Sequence, residues 1–163
     1  MMVDIGGETG TASGRTRFER FIAEEAPGLR RGLVARFGVD SGSEAFAEVM
    51  AYAWEHRDRL EAMANPSGYL YRVGLSAARP HVRWRRHTVL IDFDRSDPTP
   101  EHDVDLVAAF ARLSASQRVA VVMVHGYGST YQEVADLLGV SVAAVTNHVH
   151  RGLRRLREIL EAE

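Results

Sequence analysis

The stretch "TYQEVADLLGVSVAAVTNHV" at residues 130–149 constrains the fold more than any other part of the chain. Ala135 is small enough for two helices to cross closely, and Gly139 suits a tight turn between them. Val145 is placed to plug the second helix onto the first. The spacing predicts a helix-turn-helix hairpin whose small core is completed by Val134, Leu138 and Val140. The inward stripe of its second helix is predicted to be Val142, Val145, Val149 and Leu156.

Both helices of this hairpin have recognisable start signals, since Thr130 with Glu133 predicts a capping box and Ser141 predicts an N-cap. Polar side chains near the start of such a second helix reach base edges in the major groove, and arginines further along contact phosphates. A solvated face of an ordinary bundle is the alternative, but the hairpin spacing favours DNA binding. The candidate DNA-binding residues here are Ser141, Thr146, Asn147, His148, His150, Arg151, Arg154 and Arg155.

Charge is unevenly distributed along a chain whose formal net charge is −2. Residues 62–91 hold five arginines and no acid, residues 92–105 hold six acids and one arginine, and residues 142–157 hold four arginines and no acid. Two basic segments are thus separated by an acidic one. A near-neutral total charge therefore does not argue against binding a polyanion, because a partner interacts with the charge of the surface that it contacts.

The rest of the chain predicts helices. Residues 1–14 are expected to form a disordered tail, and residues 15–87 carry helical apolar spacing with starts at Pro27 and at Asn65-Pro66. Residues 88–105, with two prolines and six acids, predict an acidic linker, and residues 106–163 return to helical spacing. The predicted fold is all-α: two small helical bundles joined by the linker, the second a four-helix, winged-helix-like helix-turn-helix domain.

The sequence offers no reaction chemistry and predicts no enzyme. It contains no cysteine, which excludes disulfides and thiolate sites. "HRD" at residues 56–58 lacks the other parts of a kinase loop, and "DFDRSD" has Asp97 where a calcium loop needs glycine. His148 and His150 point in different directions on a helix and cannot share a metal. We expect no cofactor, no metal, no membrane span and a cytoplasmic location.

Residues 113–158 resemble the fourth conserved region of bacterial RNA polymerase sigma factors of the sigma-70 family, extracytoplasmic-function (ECF) type. The marks are Leu113 and Arg118 at its opening, the "TYQEVA" helix, "GVSVAAV", and "HRGLRRLR" at residues 150–157. The resemblance implies binding to the upstream promoter element and to the flap of RNA polymerase core. It also implies that the linker threads toward the polymerase active-site channel.

The N-terminal half resembles the second conserved region of that family more loosely. At the matching positions this chain keeps an acid at Glu44, and departs from the family at Ala47, Tyr69, Ser76 and Pro80. The resemblance implies polymerase clamp binding through the helix face of Glu44, Glu48 and Glu55.

The same region carries a second candidate surface for DNA. An aromatic ring followed by guanidinium groups at helical spacing is a typical single-strand binding surface. A solvated basic face beside a core tyrosine is the alternative, and the resemblance favours DNA, here the melted promoter strand. Trp54 and Trp84 are expected to pack in the core. The candidate residues of this surface are Tyr69, Arg72, Arg79 and Arg83, with Ser76 on the same stripe.

Together these features predict a non-catalytic promoter-recognition subunit with polymerase core and promoter DNA as partners, and with an anti-sigma protein as a possible further partner. Two alternatives stay open. One is a helix-turn-helix regulator of sigma-like ancestry that binds DNA without initiating transcription. The other is a polymerase-interaction module that does not use its basic helix.

Overall fold

The computed structural model describes residues 9–78 and 102–162, and within these ranges every regular element is a helix. The N-terminal half contains five helices: α1 (Thr9–Glu24), α2 (Ala26–Phe37), α3 (Val39–Glu55), α4 (Arg57–Glu61) and α5 (Pro66–Ala77). The C-terminal half contains α6 (His102–Ala111), α7 (Ala115–Val121) with a following π-helical turn (Val122–Gly126), α8 (Tyr131–Leu138) and α9 (Val142–Leu160). The predicted all-α class is confirmed.

Local sequence signals set the helix ends of the N-terminal half. Pro27 lies in the first turn of α2, and Gly38 ends that helix with φ of 87°, a conformation that glycine adopts without a Cβ penalty. The side chain of Asn65 caps α5 by accepting a 2.7 Å hydrogen bond from the backbone N–H of Gly68. These are the starts and stops that the sequence predicts.

The C-terminal half is capped in the same way. Ser114 and Gln117 form a reciprocal capping box at the start of α7, and Thr130 and Glu133 form another at the start of α8. The chain that continues from α7 changes to π-helical geometry at Val122. That turn ends before Gly128, whose φ is 70°.

The two halves, expected as separate bundles, share one hydrophobic core. Leu29, Leu33 and Leu70 of the N-terminal half are fully buried in the same cluster as Val119, Val134 and other side chains of the C-terminal half. A second, smaller cluster holds α6 and the end of α7 against α9 through Ala109, Leu113, Val121, Leu156 and Ile159. The helix-turn-helix therefore packs on its own bundle and also on the N-terminal half.

Some predicted boundaries differ from the structure. Helix α1 begins at Thr9, inside the segment expected to be a disordered tail, and α6 begins at His102, inside the segment expected to be linker. Helix α5 ends at Ala77, and Pro80 lies outside the described residues. The greater part of the predicted acidic linker also lies outside the described residues, so its course stays a prediction.

Candidate nucleic-acid interface

Three local features form the helix-turn-helix: helix caps, a left-handed turn and the buried side chain of Val145. Gly139 ends α8 with φ of 66° and ψ of 37°, and the N–H of Val140 donates to the carbonyl of Ala135 over 3.1 Å. Ser141 then caps α9 by accepting a 3.1 Å hydrogen bond from the N–H of Ala144. Val145 is fully buried between α9 and α8. The hairpin is thus held in one geometry by groups close together in sequence.

The core of the hairpin differs from the prediction at three positions. Val140 and Val142, expected to be inward, are 40% and 39% exposed. Leu137 is buried, because it lies against the N-terminal half, where its Cδ2 would be 2.6 Å from a Cβ added at Gly32. The prediction treated the hairpin as an isolated unit and therefore missed a side chain that packs on another part of the chain.

The outward side of α9 carries a row of exposed side chains at helical spacing. Asn147, His150 and Arg154 are exposed and follow one another three and four residues apart, which places them on one face. The row extends over about 10 Å from Asn147 to Arg154. Its start is polar and uncharged and its end is cationic. This order suits base edges near the start of the helix and phosphates near its end.

The other predicted DNA-binding residues of α9 differ in how far their side chains are exposed. Thr146 is half-buried, and its hydroxyl donates to the carbonyl of Val142 over 2.9 Å. His148 is half-buried on the flank of the helix, away from the row of Asn147. Arg151 and Arg155 are exposed on that same flank. The prediction of His148 as a groove-facing residue thus rests on a side chain that the fold partly covers.

Glu158 distinguishes the arginines of α9 from one another. Its carboxylate lies 3.2 Å from Nη1 of Arg155 and 3.9 Å from Nε of Arg154. Arg151 forms no ion pair within the part of the chain that the structure describes. A carboxylate shared by two arginines offsets part of their charge, so Arg151 is the least compensated of the three arginines predicted to bind DNA. Glu158 did not enter the sequence prediction, although its spacing from both arginines was visible.

Tyr69 on α5 is engaged inside the N-terminal half. Its hydroxyl lies 2.8 Å from the hydroxyl of Tyr52, and the guanidinium of Arg59 lies 5.6 Å from its ring centroid. This hydrogen bond is the largest cause that raises the pKa of Tyr52 above its ordinary value, while the charge of Arg59 acts in the opposite direction. His56 stacks on Tyr52 with ring centroids 4.0 Å apart. The predicted stacking platform is therefore part of a packed aromatic cluster.

Arg72, the next residue of the predicted single-strand surface, is exposed and lies at the helix-turn-helix. Its Nη1 would be 3.1 Å from a Cβ added at Gly139. Ser76 is exposed, and its hydroxyl donates to the carbonyl of Arg72. Arg79 and Arg83 lie outside the described residues. The structure thus places Arg72 beside the turn that leads into α9.

The predicted polymerase-binding face of α3 is open. Glu44, Glu48 and Glu55 are all exposed. The expectation that Trp54 is a core residue is wrong, because its side chain is 53% exposed. It contacts the edge of Phe18, with centroids 5.5 Å apart, and carries the guanidinium of Arg57 over its ring at 5.1 Å. Trp84 lies outside the described residues.

Two properties of the described residues bear on other functions. Their helices include none with the length and apolar content needed to cross a membrane. Within the same residues, the histidines and acids form no group of three or more able to hold a metal ion.

Residues 103–156 match the family model described as sigma-70, region 4. The ECF RNA polymerase sigma factor SigE of Mycolicibacterium smegmatis is 36% identical over 107 residues, which cover 57% of this chain and 42% of that protein. The RNA polymerase sigma factor CarQ of Myxococcus xanthus is 30% identical over 158 residues, which cover 88% of each protein. The chain thus spans less than half of SigE and most of CarQ.

Two solved structures share the fold. One is the sigma factor RpoE in complex with the anti-sigma factor NepR from Bartonella quintana, with a TM-score of 0.60, 20% identity, and coverage of 90% of this chain and 98% of that one. The other is CnrH in complex with the cytosolic domain of CnrY, with a TM-score of 0.58, 22% identity and 93% coverage of each chain. Both likenesses extend over the N-terminal and C-terminal halves together.

The hairpin and its match define the C-terminal half as a helix-turn-helix region of the sigma-70 type. The similarity to CarQ extends this over the N-terminal half. The chain belongs to the RNA polymerase sigma factors of the sigma-70 family, extracytoplasmic-function type.

Proposed function

We propose that this chain is a non-catalytic subunit that binds core RNA polymerase and directs transcription initiation at specific promoters. The observation that carries the proposal is the exposed outward row of α9, presented by a fully capped helix-turn-helix. A hairpin of this kind enters the major groove with the start of its second helix. Membership of the sigma factor family supports the same function.

In this proposal α9 binds the upstream promoter element as duplex DNA. Asn147 contacts base edges, since it is exposed in the second turn of the helix and carries hydrogen-bonding groups, and His150 lies on the same face in the middle of the helix, next to the phosphate contacts. Arg151 supplies the strongest phosphate contact because Glu158 leaves it uncompensated. Arg154 and Arg155 supply weaker ones. Three phosphate contacts predict a slope of about −2.7 for the logarithm of affinity against the logarithm of salt concentration.

The proposed contact with core polymerase uses the exposed acids of α3, namely Glu44, Glu48 and Glu55. Exposed carboxylates on one helix face attract a basic surface and accelerate its association. The exposed ring of Trp54 adds apolar area at the end of the same helix. We extend the partner set to an anti-sigma protein, since RpoE is complexed with the anti-sigma factor NepR, and CnrH with the cytosolic domain of CnrY, in the solved structures.

A second candidate function is a promoter-binding regulator that does not initiate transcription. The hydrogen bond between Tyr69 and Tyr52 favours it, because a tyrosine fixed in this way is less available to stack on a melted strand. In this second function α9 still binds duplex DNA, but α5 does not bind the melted strand. In a pure interaction module neither helix binds DNA specifically, and any DNA binding would show a shallow salt dependence.

Transcription in vitro with purified core polymerase separates these functions. The proposal expects initiation at a defined promoter, and a triple change of Glu44, Glu48 and Glu55 to Gln should weaken core binding while leaving duplex affinity unchanged. Glu19→Gln with Glu24→Gln is the control, because both residues are exposed acids on α1. Binding to duplex DNA without association with core polymerase would support the regulator that does not initiate transcription. Core association with no specific DNA contact supports the interaction module.

A further inference from the structure

The start of α9 exposes apolar side chains at the end of the hairpin that enters the major groove. Val140 and Val142, on either side of Ser141, are 40% and 39% exposed, and Ala143 beside them is exposed as well. Single apolar residues are common on protein surfaces, but here three lie within four consecutive positions. Over residues 142–149, the first two turns, the exposed side chains are those of Val142, Ala143 and Asn147. A ligand at this end of the helix therefore meets two apolar side chains and one amide.

The hydroxyl groups at the same end are engaged with the backbone of α9. Oγ of Ser141 accepts the 3.1 Å hydrogen bond from the N–H of Ala144 that caps the helix. The hydroxyl of Thr146 donates its hydrogen to the carbonyl of Val142 over 2.9 Å. Because these groups stabilise the helix itself, the surface left for a ligand consists mainly of methyl groups and the amide of Asn147.

The start of α9 also lacks side-chain charge. Residues 139–150 contain no arginine, lysine, aspartate or glutamate. The commonest specific contact to guanine is a bidentate one from arginine or lysine to O6 and N7. The first arginine of α9, Arg151, lies about 14 Å along the helix from Val142. The first two turns therefore lack the usual side chains for contacting guanine.

The exposed groups match the two bases of an A·T pair. In the major groove the apolar group is the C5-methyl of thymine, and small apolar side chains pack against it. Asparagine makes a bidentate contact with N6 and N7 of adenine. Ala143 and Asn147 lie on one face about 6 Å apart along the axis, which equals roughly two base-pair steps of about 3.4 Å. The apolar and amide groups are therefore spaced for neighbouring base pairs.

We propose, on the basis of the duplex-binding role proposed for α9, that the start of this helix recognises A·T base pairs. Val142 and Ala143 pack on the C5-methyl group of a thymine, and Asn147 contacts an adenine within about two base-pair steps of it. The arginines that follow hold the phosphates and set the affinity, whereas these three side chains set the preferred sequence. Val142, which the sequence pattern placed inside the hairpin, is in this proposal a specificity-determining residue.

The first experiment selects bound duplexes from a pool of randomised DNA with the full-length chain. We expect the enriched sequences to share A·T pairs at neighbouring positions. Each thymine of an enriched duplex is then replaced by deoxyuridine, which pairs with adenine in the same way and lacks only the C5-methyl group. At the contacted thymine the affinity should fall about fourfold, which corresponds to the burial of one methyl group.

Val142→Ala tests whether that methyl group is contacted by Val142. In this variant the change from thymine to deoxyuridine should lower affinity less than about twofold, because the two apolar partners depend on each other. Leu153→Ala is the matched control, since Leu153 is 37% exposed on nearly the same flank of α9 but lies three turns further along. It should keep the fourfold effect of deoxyuridine.

The adenine contact is tested with 7-deazaadenine, which lacks the N7 acceptor. At one adenine within about two base pairs of the sensitive thymine, this base should lower affinity about fivefold, the lower end of the discrimination given by a bidentate pair. In Asn147→Ala the same replacement should have no further effect. An undiminished effect in that variant would assign the adenine to another residue and overturn the proposed pairing.

Recognition of A·T pairs is overturned if deoxyuridine leaves affinity unchanged at every thymine, or if its effect persists in full in Val142→Ala. Enrichment of sites with only G·C pairs would overturn it as well. In each of these cases specific duplex binding remains, so the proposed role of α9 stands. If instead no sequence is enriched over the random pool, the duplex-binding role itself fails, and recognition of A·T pairs fails with it.

Discussion

Helices α5 and α9 resemble each other in sequence and differ in how the fold uses them. Each combines polar or aromatic positions with positive charge and is a candidate for DNA contact, although α5 itself holds one arginine, Arg72, and α9 holds four. In α9 the outward row is exposed along its length. In α5 the hydroxyl of Tyr69 is hydrogen-bonded to Tyr52, and Gly68 packs close to the backbone of α8. A basic amphipathic pattern therefore shows what a helix can bind, and only its neighbours determine which face is available.

The largest effect is expected from a change that weakens the packing of α9 on α8. Val145→Ala removes apolar volume from a fully buried site, and we expect it to lower the free energy of unfolding by about 2 kcal/mol. Val142→Ala is the same change on the same helix at a site 39% exposed, and it should cost less than about 0.5 kcal/mol. Urea unfolding measures both. Equal losses of unfolding free energy would show that Val145 is not the residue that packs α9 on α8.

The base-contacting end of α9 is tested at Asn147. Asn147→Ala should reduce discrimination at one base pair by about 1–3 kcal/mol and change affinity for random DNA little, because the side chain is exposed and uncharged. Competition binding with single-base variants of the promoter measures this. Thr146→Ala is the control, since its hydroxyl is already bonded to the carbonyl of Val142. A uniform loss across all sequences would assign Asn147 to the DNA backbone.

The arginines provide a smaller and graded effect. Arg151→Ala should reduce the steepness of the salt dependence by about 0.9, the value for one phosphate contact. Arg154→Ala should reduce it less, because Glu158 already offsets that charge. Arg72→Ala on α5 should leave the slope for duplex DNA unchanged. Fluorescence anisotropy over a salt series measures all three, and an equal change for Arg72 would remove the distinction between α5 and α9.

The smallest effect concerns the aromatic cluster of α5. Tyr69→Phe should lower the pKa of Tyr52 toward its ordinary value, because the hydrogen bond that holds its proton is removed. Arg59→Gln should raise that pKa, because it removes a charge that favours the tyrosinate. Ultraviolet titration of tyrosinate measures both shifts. Shifts of the same sign would contradict the engagement of Tyr69 with Tyr52.

Much of the hairpin could be predicted because its determinants are local. The capping box of Thr130 and Glu133, the cap at Ser141 and the left-handed turn at Gly139 each depend on groups within a few residues, and all three are confirmed. The cap of α5 by Asn65 follows the same rule. The outward row of α9 likewise follows from helical periodicity once the inward residue Val145 is known.

The prediction was weakest where a side chain meets a partner far away in sequence. Leu137 is buried against Gly32, exposed Trp54 meets the edge of Phe18, and Tyr69 is bonded to Tyr52. Periodicity gives the direction of each side chain relative to its own helix. It does not give the element that lies in that direction, which is why the exposed tryptophan was expected in the core.

The sequence by itself determined that the chain is helical, where the capped helices begin, the turn at Gly139 and the family, because caps and apolar periodicity depend on residues close together in the chain. The tertiary structure alone decided that α8 is seated on Gly32 and Gly68 and that Arg118 caps α2. These contacts join residues more than 60 positions apart, and their strength depends on close approach and on shared burial. Close approach and shared burial arise only when the two halves pack together.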